Sequence, residues 1–153
     1  LDISKKVSHY LSAKGVAVQL TRSKNIDLDL SERVIIANKS YANAFVSIHA
    51  NAVKGYRRDV SGIETYFYKG YNGEKLAKKI QSELMKVPGG SPDRGVRQSR
   101  FFVIKHTHMP AALVEVGFLT GRVDSRLLSQ PSYRKEISFA IAKGILKYLK
   151  ETY

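Results

Sequence analysis

Two residues of this chain are best placed to do chemistry: a histidine ending one apolar run and a glutamate inside another. The first run is Phe45-Val46-Ser47-Ile48-His49-Ala50-Asn51, and the second is Ala112-Leu113-Val114-Glu115-Val116-Gly117-Phe118. Read as a buried strand, the first carries His49 to its carboxyl end, where open α/β sheets build their sites. The second holds a carboxylate among apolar neighbours, which is costly unless a cation, a metal or a hydrogen-bond network receives it. A histidine and a carboxylate on separate core strands can serve a zinc hydrolase as ligand and general base.

Each residue has a plainer reading. His49 can be a satisfied core histidine, although the adjoining Ala50-Asn51 and the basic, polar residues 52–61 favour a site with an open loop beside it. Glu115 can be the buried partner of Arg97, Arg100 or Lys105; a cation would lower its pKa, and burial alone would raise it. His106 and His108 stand two apart in an extended segment and point opposite ways, so they make a poor ligand pair. His9 belongs to a surface. Glu64, within Gly62-Ile63-Glu64-Thr65-Tyr66, faces either the site or solvent. Arg94, Arg97 and Arg100 form a basic cluster that is a solvated face or a contact for an anionic substrate. A zinc site usually takes three protein ligands, and His49 is the one convincing candidate.

The elements that must position these residues follow from periodicity. Ile3, Val7, Tyr10 and Leu11 predict a helix over 1–14, stopped by Gly15. Val16–Leu20 reads as a strand. Ser31 can cap a helix through Val34, Ile35 and Asn38. Strands are expected at Phe45–Ile48, Ile63–Tyr68, Phe101–Ile104 and Ala112–Val116. Helices are expected at Lys75–Lys86 and Tyr133–Lys150, with a breaker loop at residues 87–92 and a short turn after Gly121. Helices alternating with short apolar strands predict an α/β three-layer sandwich, its sheet mostly parallel or mixed and flanked by helices.

The 153 residues suit a single domain. No apolar run approaches the length of a membrane span, and the first residues lack a signal-peptide pattern. With no cysteine, any metal must be held by His, Asp or Glu. The net charge of +13 predicts attraction to polyanions: nucleic acid, anionic lipid or an acidic wall polymer. The chain carries no nucleic-acid-binding motif, so charge alone would support that partner.

Val46-Ser47-Ile48-His49-Ala50-Asn51, Gly62-Ile63-Glu64-Thr65-Tyr66, Arg94-Gly95-Val96, Phe102-Val103-Ile104 with Met109-Pro110-Ala111, and Leu113-Val114-Glu115-Val116-Gly117-Phe118 together resemble the zinc-dependent N-acetylmuramoyl-L-alanine amidases of the amidase type 3 family. Thr21-Arg22 and the helix with Glu32-Arg33 and Ala37-Asn38 fit the same likeness, which spans nearly the whole chain. The resemblance implies hydrolysis of the amide between the lactyl group of N-acetylmuramic acid and the L-alanine of the peptidoglycan stem peptide. It implies a zinc ion held by two histidines and a glutamate, with His49 matching the second histidine and Glu115 the catalytic, non-ligating glutamate. The other two ligands lie earlier in the family, around a first strand ending in a Gly-His-Gly type motif that is not found in these residues. The chain is therefore expected to be an N-terminally incomplete catalytic domain, lacking an interior strand and unable by itself to bind zinc tightly. Asn51, Arg94 and Arg97 are candidates for holding substrate. Peptidoglycan is the expected partner, with a regulatory protein of unspecified kind, in the periplasm or outside the cell at the wall. A non-catalytic wall-binding domain on the same fold is the alternative.

Overall fold

The computed structural model describes residues 1–55 and 57–153. Among these, four strands form one sheet: β1 (Phe45–Asn51), β2 (Ile63–Phe67), β3 (Asp93–Gln98) and β4 (Ala111–Phe118), in the order β1-β4-β2-β3. β1 runs parallel to β4 and β2 parallel to β3, while β2 and β4 are antiparallel. The sheet is thus mixed, as the sequence predicts.

All eight residues of β4 are buried, which explains its unbroken apolar run. Its side chains alternate between two faces. Val114 and Val116 meet Val7 and Leu11 of α1 (Asp2–Ser12), Leu76 and Ile80 of α3 (Tyr71–Leu84), and Ile137 and Ile141 of α6 (Pro131–Lys150). Ala111 and Leu113 meet Val34 of α2 (Leu30–Lys39) and Val103 and Ile104 of α4 (Phe102–His106). A helical layer on each side makes the three-layer α/β sandwich. By period two, Glu115 belongs to the α2/α4 face. Those helices have 10 and 5 residues against the 20 of α6 opposite, so they cover less of the sheet.

Several elements depart from expectation. Phe101–Ile104 is not a strand; Phe102–His106 winds into α4. The Lys105 N–H donates to the Phe101 carbonyl, the Thr107 hydroxyl donates to the Val103 carbonyl, and the Phe102 and His106 rings meet at i, i+4. A four-residue apolar run cannot by itself tell a strand from a buried helical turn. Conversely, the Arg94/Arg97 segment is the edge strand β3, whose charges are what an unpaired edge favours. Val16–Leu20 joins no ladder. Together with residues 44–48 it lines a groove of about 550 Å³ along the side of β1 that carries no strand among the described residues. Asp29, not Ser31, is the N-cap of α2, and its N–H donates to the Glu32 carboxylate at 2.7 Å, as in a capping box. The turn after Gly121 contains a helix, α5 (Arg122–Ser129). No helix among the described residues is long and apolar enough to cross a membrane.

α3 and α6 touch backbone to backbone at Gly144. A Cβ there would lie 2.6 Å from the Ile80 Cα and 2.9 Å from its nitrogen. Gly144→Ala should gain about 1 kcal/mol of helix propensity but force two backbones apart at about 1–3 kcal/mol. We expect net destabilisation, read as a lower denaturant midpoint. A higher midpoint would mean that the helices separate freely.

Candidate active site

Three chemically active side chains stand in one row across the sheet. His49 on β1 is in register with Glu115 on β4, and Glu115 is in register with Glu64 on β2. Strand alternation turns all three to the α2/α4 face. Each of the three strands carries a titratable side chain at this level.

His49 is half-buried, and its Nε2 lies 2.7 Å from the Ser47 hydroxyl, two residues back on the same face. Burial pushes the imidazole pKa below its ordinary value, and the positive charge of Arg33 adds to this. The neutral ring that results is the form that ligates metals. Glu115 is 9% exposed, and its Oε2 has no hydrogen-bond partner among the described residues. Among the described residues no ion pair joins it to Arg97, Arg100 or Lys105, and Arg94 pairs with Glu64 instead. Burial pushes its pKa up to about 7, with repulsion from Glu64 adding to the effect. A carboxyl poised near neutrality can both accept and return a proton.

Glu64, ambiguous in sequence, is 3% exposed and fully engaged. Its Oε2 accepts from Arg94 Nε at 3.1 Å and its Oε1 from Asn51 Nδ2 at 3.3 Å. The signal that could have placed it inward is the one that marked Glu115, a single charge among apolar strand residues. Asn51 also accepts the Ala52 N–H at 2.8 Å. Arg94 lies over the Phe118 ring, 5.1 Å from its centroid. Arg97 is exposed on β3. Burial, with the Glu64 carboxylate nearby, raises the Tyr66 phenol to about 12. His106 and His108 stay apart from this row. They precede β4 at its far end, and Asn38 fixes their backbone by donating to the His106 carbonyl and accepting the His108 N–H.

The N-acetylmuramoyl-L-alanine amidase family model matches residues 1–147. The chain belongs to that family. It is 39% identical to the N-acetylmuramoyl-L-alanine amidase LytC of Bacillus subtilis over 153 residues, covering 98% of this chain and 30% of LytC. Of solved structures, the amidase AmiC2 of Nostoc punctiforme superposes with a TM-score of 0.92 at 41% identity, covering 97% of this chain and 81% of that one. The CwlD amidase of Clostridioides difficile, solved in complex with the GerS lipoprotein, matches with a TM-score of 0.89 at 30% identity, covering 98% and 84%. Among these relatives, the amidase fold accounts for the strand order and both helical layers seen here.

The donors in this amidase domain do not by themselves fit a zinc ion. Among the described residues no group of three or more His, Cys, Asp or Glu is arranged to hold a metal. His49 offers one nitrogen beside Glu115, and Glu64 is committed to Arg94 and Asn51.

Proposed function

We propose that this chain is the catalytic domain of a peptidoglycan hydrolase, cleaving the amide between the lactyl group of N-acetylmuramic acid and the L-alanine of the stem peptide. Glu115 carries the reading: a buried carboxyl with an unpartnered oxygen, on the open face, beside a neutral histidine. Its carboxylate takes a proton from the attacking water and returns it to the departing alanine nitrogen, leaving a lactyl carboxylate and a free amine. A poised acid–base group of this kind contributes about 10²–10⁴ in rate. We infer that zinc is the cofactor of the whole protein, with His49 among its ligands and the remaining donors coming from outside the described residues. A zinc ion held in part by His49 would supply Lewis-acid activation of the scissile carbonyl and of water.

The charge of +13 suits a polymer bearing stem-peptide carboxylates, with an affinity that falls as salt rises. Arg97 is the most exposed candidate for meeting those carboxylates; Asn51 and Arg94 stand behind it, held by Glu64. This chemistry places the domain at the cell wall, outside the cell or in the periplasm. By analogy with CwlD, solved in complex with the GerS lipoprotein, we propose a protein partner for this domain as well.

Digestion of sacculi by the whole protein should release stem peptides with a free L-alanine amine, identified by mass spectrometry. His49→Ala should lower zinc per molecule after dialysis and reduce release at least about tenfold, since even outer-shell partners of a metal are worth 10–100-fold. Unchanged metal content would return His49 to the role of a core histidine. The shortage of donors favours a second reading, a wall-binding domain without catalysis, for which wild-type protein would bind sacculi and release nothing.

A further inference from the structure

Glu64 is buried next to a second carboxylate, and nothing in the proton transfer uses it. A buried charge persists when it is paired and hydrogen-bonded, and here the pairing is elaborate. Arg94 reaches Glu64 from β3 across a gap that Gly62 leaves open. Gly62 has φ +126°, and a Cβ there would lie 2.5 Å from the Arg94 Cγ. Phe118, three residues beyond Glu115, supplies the ring under the guanidinium. The other Glu64 oxygen receives Asn51, which lies two residues beyond His49 where the β1–β4 register shifts. The Asn51 carbonyl in turn accepts the Leu119 N–H at 2.7 Å. One carboxylate therefore ties the irregular end of the His49 strand, the edge strand β3 and the end of the Glu115 strand together.

We propose that Glu64 and Arg94 form a buried positioning pair that acts through Asn51 to hold the end of β1, and with it His49, in place against Glu115. The pair touches no reacting atom; its work is to fix geometry. An irregular strand end has fewer ladder bonds to restrain it, and a misplacement of about 1 Å in a site costs on the order of 10²-fold in rate. The catalytic consequence rests on the hydrolase reading above; the structural linkage does not.

The test uses the whole protein with Glu64→Gln, Glu64→Asp and Arg94→Lys. Glu64→Gln keeps the shape and removes the charge that anchors Arg94. The NMR signals of the Asn51 side-chain amide, the Leu119 N–H and the His49 ring should all shift, while the methyl signals of Leu76 and Ile137 in the opposite core hold still. On muropeptide, kcat should fall at least about tenfold with KM within about twofold, and Glu64→Asp should recover part of the loss. Arg94→Lys, a variant that keeps the charge but not the fork, should shift the same signals if Glu64→Gln fails to fold. His49 and Asn51 signals that stay unmoved in a folded variant would overturn the proposal, as would a loss of kcat matched by loss of folded protein. If the wild-type protein released nothing from sacculi while the signals still shifted, the hydrolase reading would fall and the positioning pair would stand.

Discussion

Glu115→Gln should leave the domain folded and reduce muropeptide cleavage by at least about a hundredfold, the scale of a lost general base. The amide fills the same volume but cannot accept a proton from water. Zinc content measured alongside should match wild type; its loss would make Glu115 a ligand rather than a base, and near-normal turnover would sink the assignment. The substitution should also change how stability depends on pH. Burial and the neighbouring Glu64 raise the folded-state pKa of Glu115 to about 7 from its ordinary 4.5. The folded protein then binds the proton more tightly than the unfolded chain does. Its contribution to stability is full below about pH 4.5 and is lost as pH rises through about 7. Each pH unit between the two values is about 1.4 kcal/mol; with solvent screening at the site mouth, we expect roughly 1–2 kcal/mol in all. Measured in chelator, wild type should lose that much between pH 4.5 and 7.5 relative to Glu115→Gln. Parallel stability curves for the two proteins would mean that Glu115 titrates normally.

The histidine and the glutamate were legible because the sheet obeys period two. Once Phe45–Asn51 and Ala112–Phe118 are strands, His49 and Glu115 have few places to go. Their register as neighbours was not legible, since strand order is set by contacts distant in sequence; β1 pairs with β4, the last strand of the chain. The same reason hid the row's third member. Glu64 carries the local signature of Glu115, but whether it faced solvent depended on β2 lying between β4 and β3. Segments where one pattern fits two elements misled. Phe101–Ile104 became a helix because a single turn buries Val103 and Ile104 together, and the basic Arg94–Arg97 stretch became a strand because β2 was there to receive it. Val16–Leu20 has a strand's composition, but composition forms no ladder without a partner.

The largest stability effect is expected at Asp124, a residue that takes no part in the proposed chemistry. This carboxylate on α5 is 0% exposed and accepts three hydrogen bonds. One oxygen receives the Gly62 N–H at 2.9 Å and the Phe118 N–H at 2.8 Å; the other receives the Ser91 hydroxyl at 2.5 Å. It thereby joins the entry to β2, the exit of β4 and the loop before β3. Gly117 makes room for it, with φ +138° and an approach of 3.1 Å from where a Cβ would sit to the Asp124 side chain. Asp124→Ala strands two buried N–H groups and a hydroxyl, at about 1–3 kcal/mol each. With partial relaxation we expect a loss of about 3–5 kcal/mol, a large share of the 5–15 kcal/mol that holds a domain together. At this chain length that corresponds to a fall in Tm of roughly 6–20 °C. Asp124→Asn should cost less, because its carbonyl oxygen can still accept the two backbone N–H groups. As a control, Asp59→Ala removes a solvent-exposed pair with Arg57, for which a Tm indistinguishable from wild type is expected. Thermal melts of the three variants decide the matter. A Tm for Asp124→Ala within about 2 °C of wild type would show that water replaces all three bonds, and that the loops around the Glu115 strand are held by packing rather than by this carboxylate.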